Sequence, residues 1–249
     1  MALSSFNLNG KIALITGATQ GIGAALARGF GEAGATVVVN ARDRSKLDTF
    51  VSSLGDSGIK AYGSFFDITV PASVKTAVEE IETNIGPIDI LVNNAGVIKR
   101  FPAEDLEEDD WDIVIRTNLT APFILSKYVG RNMISRKSGK IINICSLMSE
   151  LGRDTVSAYA AAKGGLKMLT RNLATEWAHH NIQVNGIGPG YIATPINTAY
   201  RELGNPLNDY ILSRTPAGRW GTPEDLVGAA IFLASGASDF VNGQVIYVD

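Results

Sequence analysis

"KIALITGATQGIG" (Lys11–Gly23) decides the fold. It opens on a short apolar run, Lys11–Thr16, and closes on glycines at 17, 21 and 23, beyond which small and apolar residues continue as a helix candidate. A run that is apolar throughout, rather than alternating with polar residues, reads as a strand covered on both faces, as in a parallel sheet. Glycines permit the tight turn that follows, and they let backbone N–H groups and a helix N-terminus approach a pyrophosphate. The spacing is G-x-x-x-G-x-G rather than G-x-G-x-x-G, so the turn alone is a modest signal. Its place between the first strand and the first helix is what points to a dinucleotide.

The same alternation continues along the chain. Strand candidates follow at Thr36–Ala41, Lys60–Phe66, Ile88–Asn93, Lys140–Cys145, Ile182–Gly188 and Val245–Val248, with helical candidates near 21–33, 45–54, 71–85, 108–136, 155–179 and 223–235. Strand–helix alternation predicts an α/β fold: one doubly wound, Rossmann-type domain over 1–249, with a mainly parallel seven-stranded sheet and helices on both faces. One stretch breaks the rhythm. Residues 189–220 carry four prolines and separate the sixth strand from the last helix. A loop of that length in a compact domain is often a substrate lid, and this one would leave from the carboxyl end of a strand, where open α/β sheets bind ligands.

Composition narrows the function. The 249 residues suit one large α/β domain, and an apolar share of 45% provides for a substantial core. A net charge of -3 with no dense basic run argues against a nucleic-acid partner. No apolar stretch reaches the length of a membrane span, and "MALSSFNLNGK" lacks a secretory pattern, so no membrane partner and a cytoplasmic location are expected. Cys145, the one cysteine, reads as a small buried hydrophobe, and the adjacent His179 and His180 are poorly spaced for a metal, so none is expected.

Two further stretches carry chemistry. In "VSAYAAAKGGL" (Val156–Leu166) the alanines favour a helix, which stacks Tyr159 and Lys163 one turn apart on one face. An ammonium beside a phenol favours its ionised form, and the small neighbours let something large and flat lie against that face. The second strand ends "VVVNARDRSK". NAD-binding folds place a carboxylate about 20 residues beyond the glycine turn to hold the ribose 2′-hydroxyl. Here Asn40 and Ala41 are neutral, Arg42 follows, and Arg44 and Lys46 lie close by, a setting suited to the 2′-phosphate of NADP. Asp43 keeps NAD possible.

Taken in order, "TGATQGIG" (Thr16–Gly23), Asp67, "NNAG" (Asn93–Gly96), Asn118, Ser146, "YAAAK" (Tyr159–Lys163) and "PGYIAT" (Pro189–Thr194) are individually short and jointly specific. On them the chain resembles the short-chain dehydrogenase/reductase family over essentially its whole length. The resemblance implies that Gly17, Gly21, Ile22 and Gly23 hold the pyrophosphate and Asp67 with Ile68 the adenine; Thr19, Gln20 and, from the reading above, Arg42 join the cofactor-binding candidates. It implies that Asn94, Ala95 and Gly96 flank the middle of the cofactor, and that Pro189, Gly190, Ile192 and Thr194 contact its nicotinamide end. Tyr159 would be the general acid in reduction and base in oxidation, Lys163 would bind the nicotinamide ribose and favour the tyrosinate, Ser146 would hydrogen-bond the reacting oxygen, and Asn118 would steady a proton relay. Chemistry asks for such a set independently, because hydride leaves an alcohol carbon only as the hydroxyl proton departs to a base within reach.

Within the family, "GKIINICSLMSELGRDTVSAYAAAKGGLKMLTRNLA", "HNIQVNGIGPGY" and "RTPAGRWGTPEDLVGAAIFLAS" are most similar to the gluconate 5-dehydrogenase group. The neighbouring 2-dehydro-3-deoxy-gluconate 5-dehydrogenases share much of this pattern. A sugar acid needs a cation for its carboxylate and polar groups for its hydroxyls. Lys99 and Arg100 follow the NNAG turn, and Ser149, Glu150 and Arg153 follow Ser146, so Arg100, Ser146, Ser149, Glu150, Arg153 and Tyr159 are the substrate-binding candidates. The expected reaction is reversible NADP-dependent oxidation of D-gluconate to 5-dehydro-D-gluconate. A ketone bound to an acyl carrier protein, or a non-enzymatic NADP-binding regulator, fits the polar surroundings of Ser146 and the intact triad less well. The family's usual assembly implies a homotetramer. The chain ends "VIYVD" at Asp249, where the family typically continues through glycines into a short tail that would close the site or an interface.

Overall fold

The computed structural model describes residues 3–202 and 204–249. Its strands are β1 (Ile12–Ile15), β2 (Thr36–Ala41), β3 (Ala61–Phe65), β4 (Ile90–Asn93), β5 (Gly139–Ile144), β6 (Ile182–Pro189) and β7 (Val245–Val248). They form one sheet in the order β3-β2-β1-β4-β5-β6-β7. All six adjacent pairings are parallel, so the expected "mainly parallel" sheet is parallel throughout. The helices that return the chain are α1 (Gly21–Glu32), α2 (Arg44–Asp56), α3 (Pro71–Asn84), α4 (Glu108–Ile115), α5 (Ala121–Arg136), α6 (Ser157–Trp177), α7 (Pro206–Arg214) and α8 (Val227–Ala234). Among the described residues, no helix is long and apolar enough to cross a membrane.

Strand side chains alternate between two apolar layers. Ala13, Ile15, Val37, Val39, Ile142 and Ile144 pack with Leu26 and Phe30 of α1, Leu47 and Leu54 of α2 and Leu233 of α8. Their neighbours Leu14, Val38, Leu91 and Ile141 face the other way, onto Val78 and Ile81 of α3, Leu125 and Val129 of α5 and Leu173 of α6. Burial on both faces is why the strands read as unbroken apolar runs. Strand order reverses direction between β1 and β4, and the strands' carboxyl ends open a crevice there. The glycine turn follows β1 there, Arg42 follows β2, Asn94 follows β4, Ser146 follows β5 and Gly190 follows β6.

Two expectations change. The helix candidate at 108–136 is broken by a wider, π-type turn over Arg116–Thr120, in which the Ala121 N–H bonds back to the Arg116 carbonyl. Pro122 has no N–H to offer the Asn118 carbonyl, and the ladder accommodates it by widening. The 189–220 excursion is partly helical, with a 3₁₀ turn at Pro195–Arg201 and then α7. Leu203, within it, lies outside the described residues.

Candidate active site

A cavity of about 1160 Å³ runs along the carboxyl edge of the sheet. At one end the glycine turn is shaped by contact. Gly17 and Gly21 adopt φ of +61° and +55°, conformations open to glycine at little cost. A Cβ on Gly17 would stand 2.8 Å from the Ala95 Cα, and one on Gly23 would stand 2.5 Å from the Asn94 Nδ2 and 2.7 Å from the Gly17 carbonyl oxygen. The NNAG turn braces this arrangement. Asn94 donates to the carbonyls of Thr16 (2.8 Å) and Gly17 (3.0 Å), and the Thr16 hydroxyl accepts from the N–H groups of Asn94 and Ala95. Gln20, which precedes α1, makes no side-chain cap, and Gly21, Ile22 and Gly23 line the cavity. Uncapped N–H groups at a helix start suit a bound phosphate, so the residues present fit a dinucleotide.

Arg42 lines the cavity beyond the end of β2, with 63% of its side chain exposed and its guanidinium 3.9 Å from the Asp67 carboxylate. Asp43 also lines it, but its carboxylate turns back to cap α2, accepting the Lys46 N–H at 3.1 Å. That bond holds the Asp43 carboxyl below its usual range. Arg44 lies over the Phe65 ring instead of lining the cavity. Asp67 does not line it either. Its carboxylate accepts the N–H and hydroxyl of Thr69, shaping the turn that presents Ile68 and Thr69 to the cavity.

The triad candidates meet in one cavity. Tyr159 and Lys163, on α6, and Ser146, just past β5, line the same cavity. Lys163 is only 4% exposed; its ammonium donates to the Ile144 carbonyl at 2.5 Å and lies 5.6 Å from the centre of the Tyr159 ring. Ser146 caps a 3₁₀ turn, Leu147–Ser149, and its hydroxyl oxygen accepts the Met148 N–H at 3.1 Å. With one lone pair engaged, its O–H remains to donate. Asn118 sits beneath the cavity, fully buried, its side-chain amide accepting the Val97 N–H and donating to the Val97 carbonyl. Cys145 is buried as expected, which pushes its thiol up, and it also lines the cavity.

Arg100 and Arg153 both line the cavity, as do Pro189, Gly190, Ile192 and Thr194, the last lying against Gly21 of the glycine turn. Arg153 donates to the Tyr191 hydroxyl at 3.3 Å and lies 3.7 Å from Asp154, while Arg100 lies 5.6 Å from the centre of the Tyr200 ring. Lys99 is paired with Asp110 at 2.8 Å. Two substrate-binding expectations are corrected. The Ser149 hydroxyl lies between the Ser146 N–H and the Lys163 carbonyl, and the Glu150 carboxylate is taken by Lys167 and the Tyr247 hydroxyl; neither residue lines the cavity. The turn at 147–149 swings both toward α6. Tyr191 and Tyr200, absent from the sequence candidates, do line it. Tyr191 was signalled only by its place inside "PGYIAT", edge-on to Trp220 of "PAGRWG".

Comparison with known proteins agrees with this geometry. The family model for short chain dehydrogenases matches residues 11–203. The 2-dehydro-3-deoxy-D-gluconate 5-dehydrogenase of Formosa agariphila is 57% identical over 100% of this chain and 95% of its own. The 5-keto-D-gluconate 5-reductase of Escherichia coli is 50% identical over 98% of this chain and 96% of its own. Among solved structures, a gluconate 5-dehydrogenase from Burkholderia cenocepacia, in complex with NADP and tartrate, superposes with a TM-score of 0.97 at 49% identity, covering 100% of this chain and 97% of that one. A family match over most of the chain, with relatives that align end to end, makes the protein an NAD(P)-dependent oxidoreductase acting on a CH–OH group, and the chain belongs to the short-chain dehydrogenase family.

Proposed function

We propose that the protein catalyses the reversible, NADP-dependent oxidation of D-gluconate at its fifth carbon to 5-dehydro-D-gluconate. The observation that carries this reading is one cavity lined by Ser146, Tyr159 and Lys163 and also by two arginines, Arg100 and Arg153. NADP, when bound, accepts the hydride from the carbinol carbon. Tyr159 takes the hydroxyl proton as the hydride leaves, and returns it in the reverse direction. Lys163, anchored through the Ile144 carbonyl, holds its buried ammonium 5.6 Å from the centre of the Tyr159 ring, beside the group that carries the proton. Ser146 donates its free O–H to the reacting oxygen, marking where that atom must sit. Asn118, whose side chain braces the cavity-lining Val97, is the support we assign to a relay of the proton outward.

A carboxylate several bonds from the reacting carbon is the natural partner of the two arginines, each able to grip it through two parallel hydrogen bonds. Arg153 is the better oriented, because Tyr191 and Asp154 already fix its plane. Arg42 and Lys46 supply cations for a 2′-phosphate, which favours NADP. The relative at 57% identity supports a second reading, 2-dehydro-3-deoxy-D-gluconate, which presents the same carboxylate and fifth-carbon alcohol. The discriminating experiment is kcat/KM for both acids, and for a neutral polyol of the same length, with NADP and NAD. A preference for D-gluconate supports the proposal, a clear preference for the deoxy acid moves the protein to the neighbouring group, and equal values for acid and polyol contradict the arginine clamp. Removing the relevant arginine raises KM for the acid. We also propose a homotetramer, since Trp111, Phe123 and Met168 lie exposed on α4, α5 and α6; the mass in solution tests it.

A further inference from the structure

Ser146 and the Tyr159–Lys163 pair lie on different elements, one on the loop after β5 and the other on α6, so something must fix the distance between them. The hydroxyl of Ser149 stands at that junction. It accepts the Ser146 N–H at 3.3 Å and donates to the Lys163 carbonyl at 2.9 Å. Lys163 is in turn bonded through its ammonium to the Ile144 carbonyl. The bonds close a ring: Ile144, Cys145 and Ser146 along the chain, Ser146 to Ser149, Ser149 to the backbone of Lys163, and Lys163 back to Ile144. One residue further on, Glu150 is held by Lys167, one turn along α6, and by Tyr247 of β7. The second brace fixes the loop's outer end, leaving Ser149 as the link nearest the reacting groups.

We propose that Ser149 is a positioning residue, whose hydroxyl sets the Ser146 hydroxyl in register with Tyr159 and Lys163 without itself touching the substrate. The proposal rests on the reading of Ser146 as the donor to the reacting oxygen. Ser149→Ala opens the ring at its nearest link, and Ser146 is then held within the 147–149 turn by the Met148 N–H to its hydroxyl and the Ser149 N–H to its carbonyl, with no side-chain link left from the turn to the Lys163 carbonyl. A displacement of order 1 Å at a reacting group costs up to about 10²-fold. The expected result for Ser149→Ala is therefore a kcat lower by about 10- to 10²-fold, with the dissociation constant for NADPH within about twofold of the parent, since the glycine turn is untouched.

A double-mutant cycle gives the test. If Ser149 acts through Ser146, Ser149→Ala made on top of Ser146→Ala costs little more than Ser146→Ala alone, because there is no hydroxyl left to misplace. Ser149→Thr, which keeps the hydroxyl, retains kcat near the parent value and serves as the measurement if Ser149→Ala folds poorly. Full kcat in Ser149→Ala overturns the proposal, as do equal losses in the Ala and Thr variants. So does the same loss from Ser149→Ala in both backgrounds, which would make the residue a support for α6 in general. An unimpaired Ser146→Ala would overturn the assignment of Ser146, a separate result from any of these.

Discussion

Arg42→Ala separates the two nicotinamide cofactors, because they differ only by the 2′-phosphate. Hydrogen bonds to charged groups contribute about 1.5–3 kcal/mol, and exposure draws this toward the lower end. With 63% of the side chain exposed, about 1.5 kcal/mol is the appropriate figure, or roughly a tenfold change in affinity. Asp67, 3.9 Å from the guanidinium, competes for the same charge and removes at most a few tenths of that. The expected outcome is an NADPH dissociation constant raised about tenfold, against less than about twofold for NADH. Titration of nicotinamide fluorescence at low and moderate ionic strength reads both values, and the NADPH penalty should shrink as salt screens the pair. Asp43→Ala is the control: its carboxylate caps α2, so its loss lowers the melting temperature without shifting cofactor choice. Equal losses for NADPH and NADH in Arg42→Ala would show that the arginine only supports the loop.

Tyr159→Phe retains the ring against Lys163 and removes the proton carrier, so kcat should fall about 10²–10⁴-fold while NADPH binding survives; near-normal turnover sinks the assignment. Gly23→Ala places a methyl 2.7 Å from the Gly17 carbonyl oxygen and 2.8 Å from the Ala18 Cα, backbone atoms with little room to yield. It should cost about 1–3 kcal/mol of stability and weaken both cofactors alike, as calorimetry and titration would read. Asp225 pairs with Arg219 at 2.7 Å and accepts the Thr222 N–H, bonds that bring its carboxyl down from 3.8 to about 2. A depressed carboxylate stabilises the fold above its unfolded value and loses that contribution as pH falls through the folded one. Asp225→Asn should therefore melt below the parent at pH 7, with the gap closing between about pH 4 and pH 2; a gap independent of pH would contradict the assignment.

The sheet was legible because burial on both faces leaves β1, β2 and β5 as apolar runs with no competing period. Which residues face which layer was not, since Leu14 and Ile15 are equally apolar and only packing distinguishes them. The break at 116–120 was written in Pro122, but a proline near a helix start is also tolerated, so the residue alone did not distinguish a widened turn from a fresh start. In the 189–220 excursion, four prolines read as loop, whereas Pro206 occupies the opening turn of α7 and Asn205 caps it through the Leu207 N–H. Ser146, Tyr159 and Lys163 were singled out by residue type, and the structure brings all three to one cavity. Ser149 and Glu150 were misplaced because nearness in sequence to Ser146 was read as nearness in the cavity, and one short turn reverses their direction. Tyr191 shows the converse, a tyrosine inside a cofactor motif that reaches an arginine 38 residues away.

The pairing of β1 with β4, Ala13 beside Ile90, also governs how the molecule comes into being. No two strands of this sheet can be joined by a hairpin, so each addition waits for a whole crossover to close, and such topologies assemble slowly. The crevice at that seam draws its lining from residues as far apart as Gly17 and Tyr200. During synthesis, the first half of the chain can lay down β1 to β4 and still offer no complete berth for a dinucleotide. Nucleotide binding therefore selects finished molecules, and by mass action it stabilises only those in which the late-arriving β6 and the 189–220 excursion have docked. In a cell with ample coenzyme, the pool of ligand would act on this protein as a folding checkpoint, shielding complete chains from proteolysis and leaving stalled ones exposed.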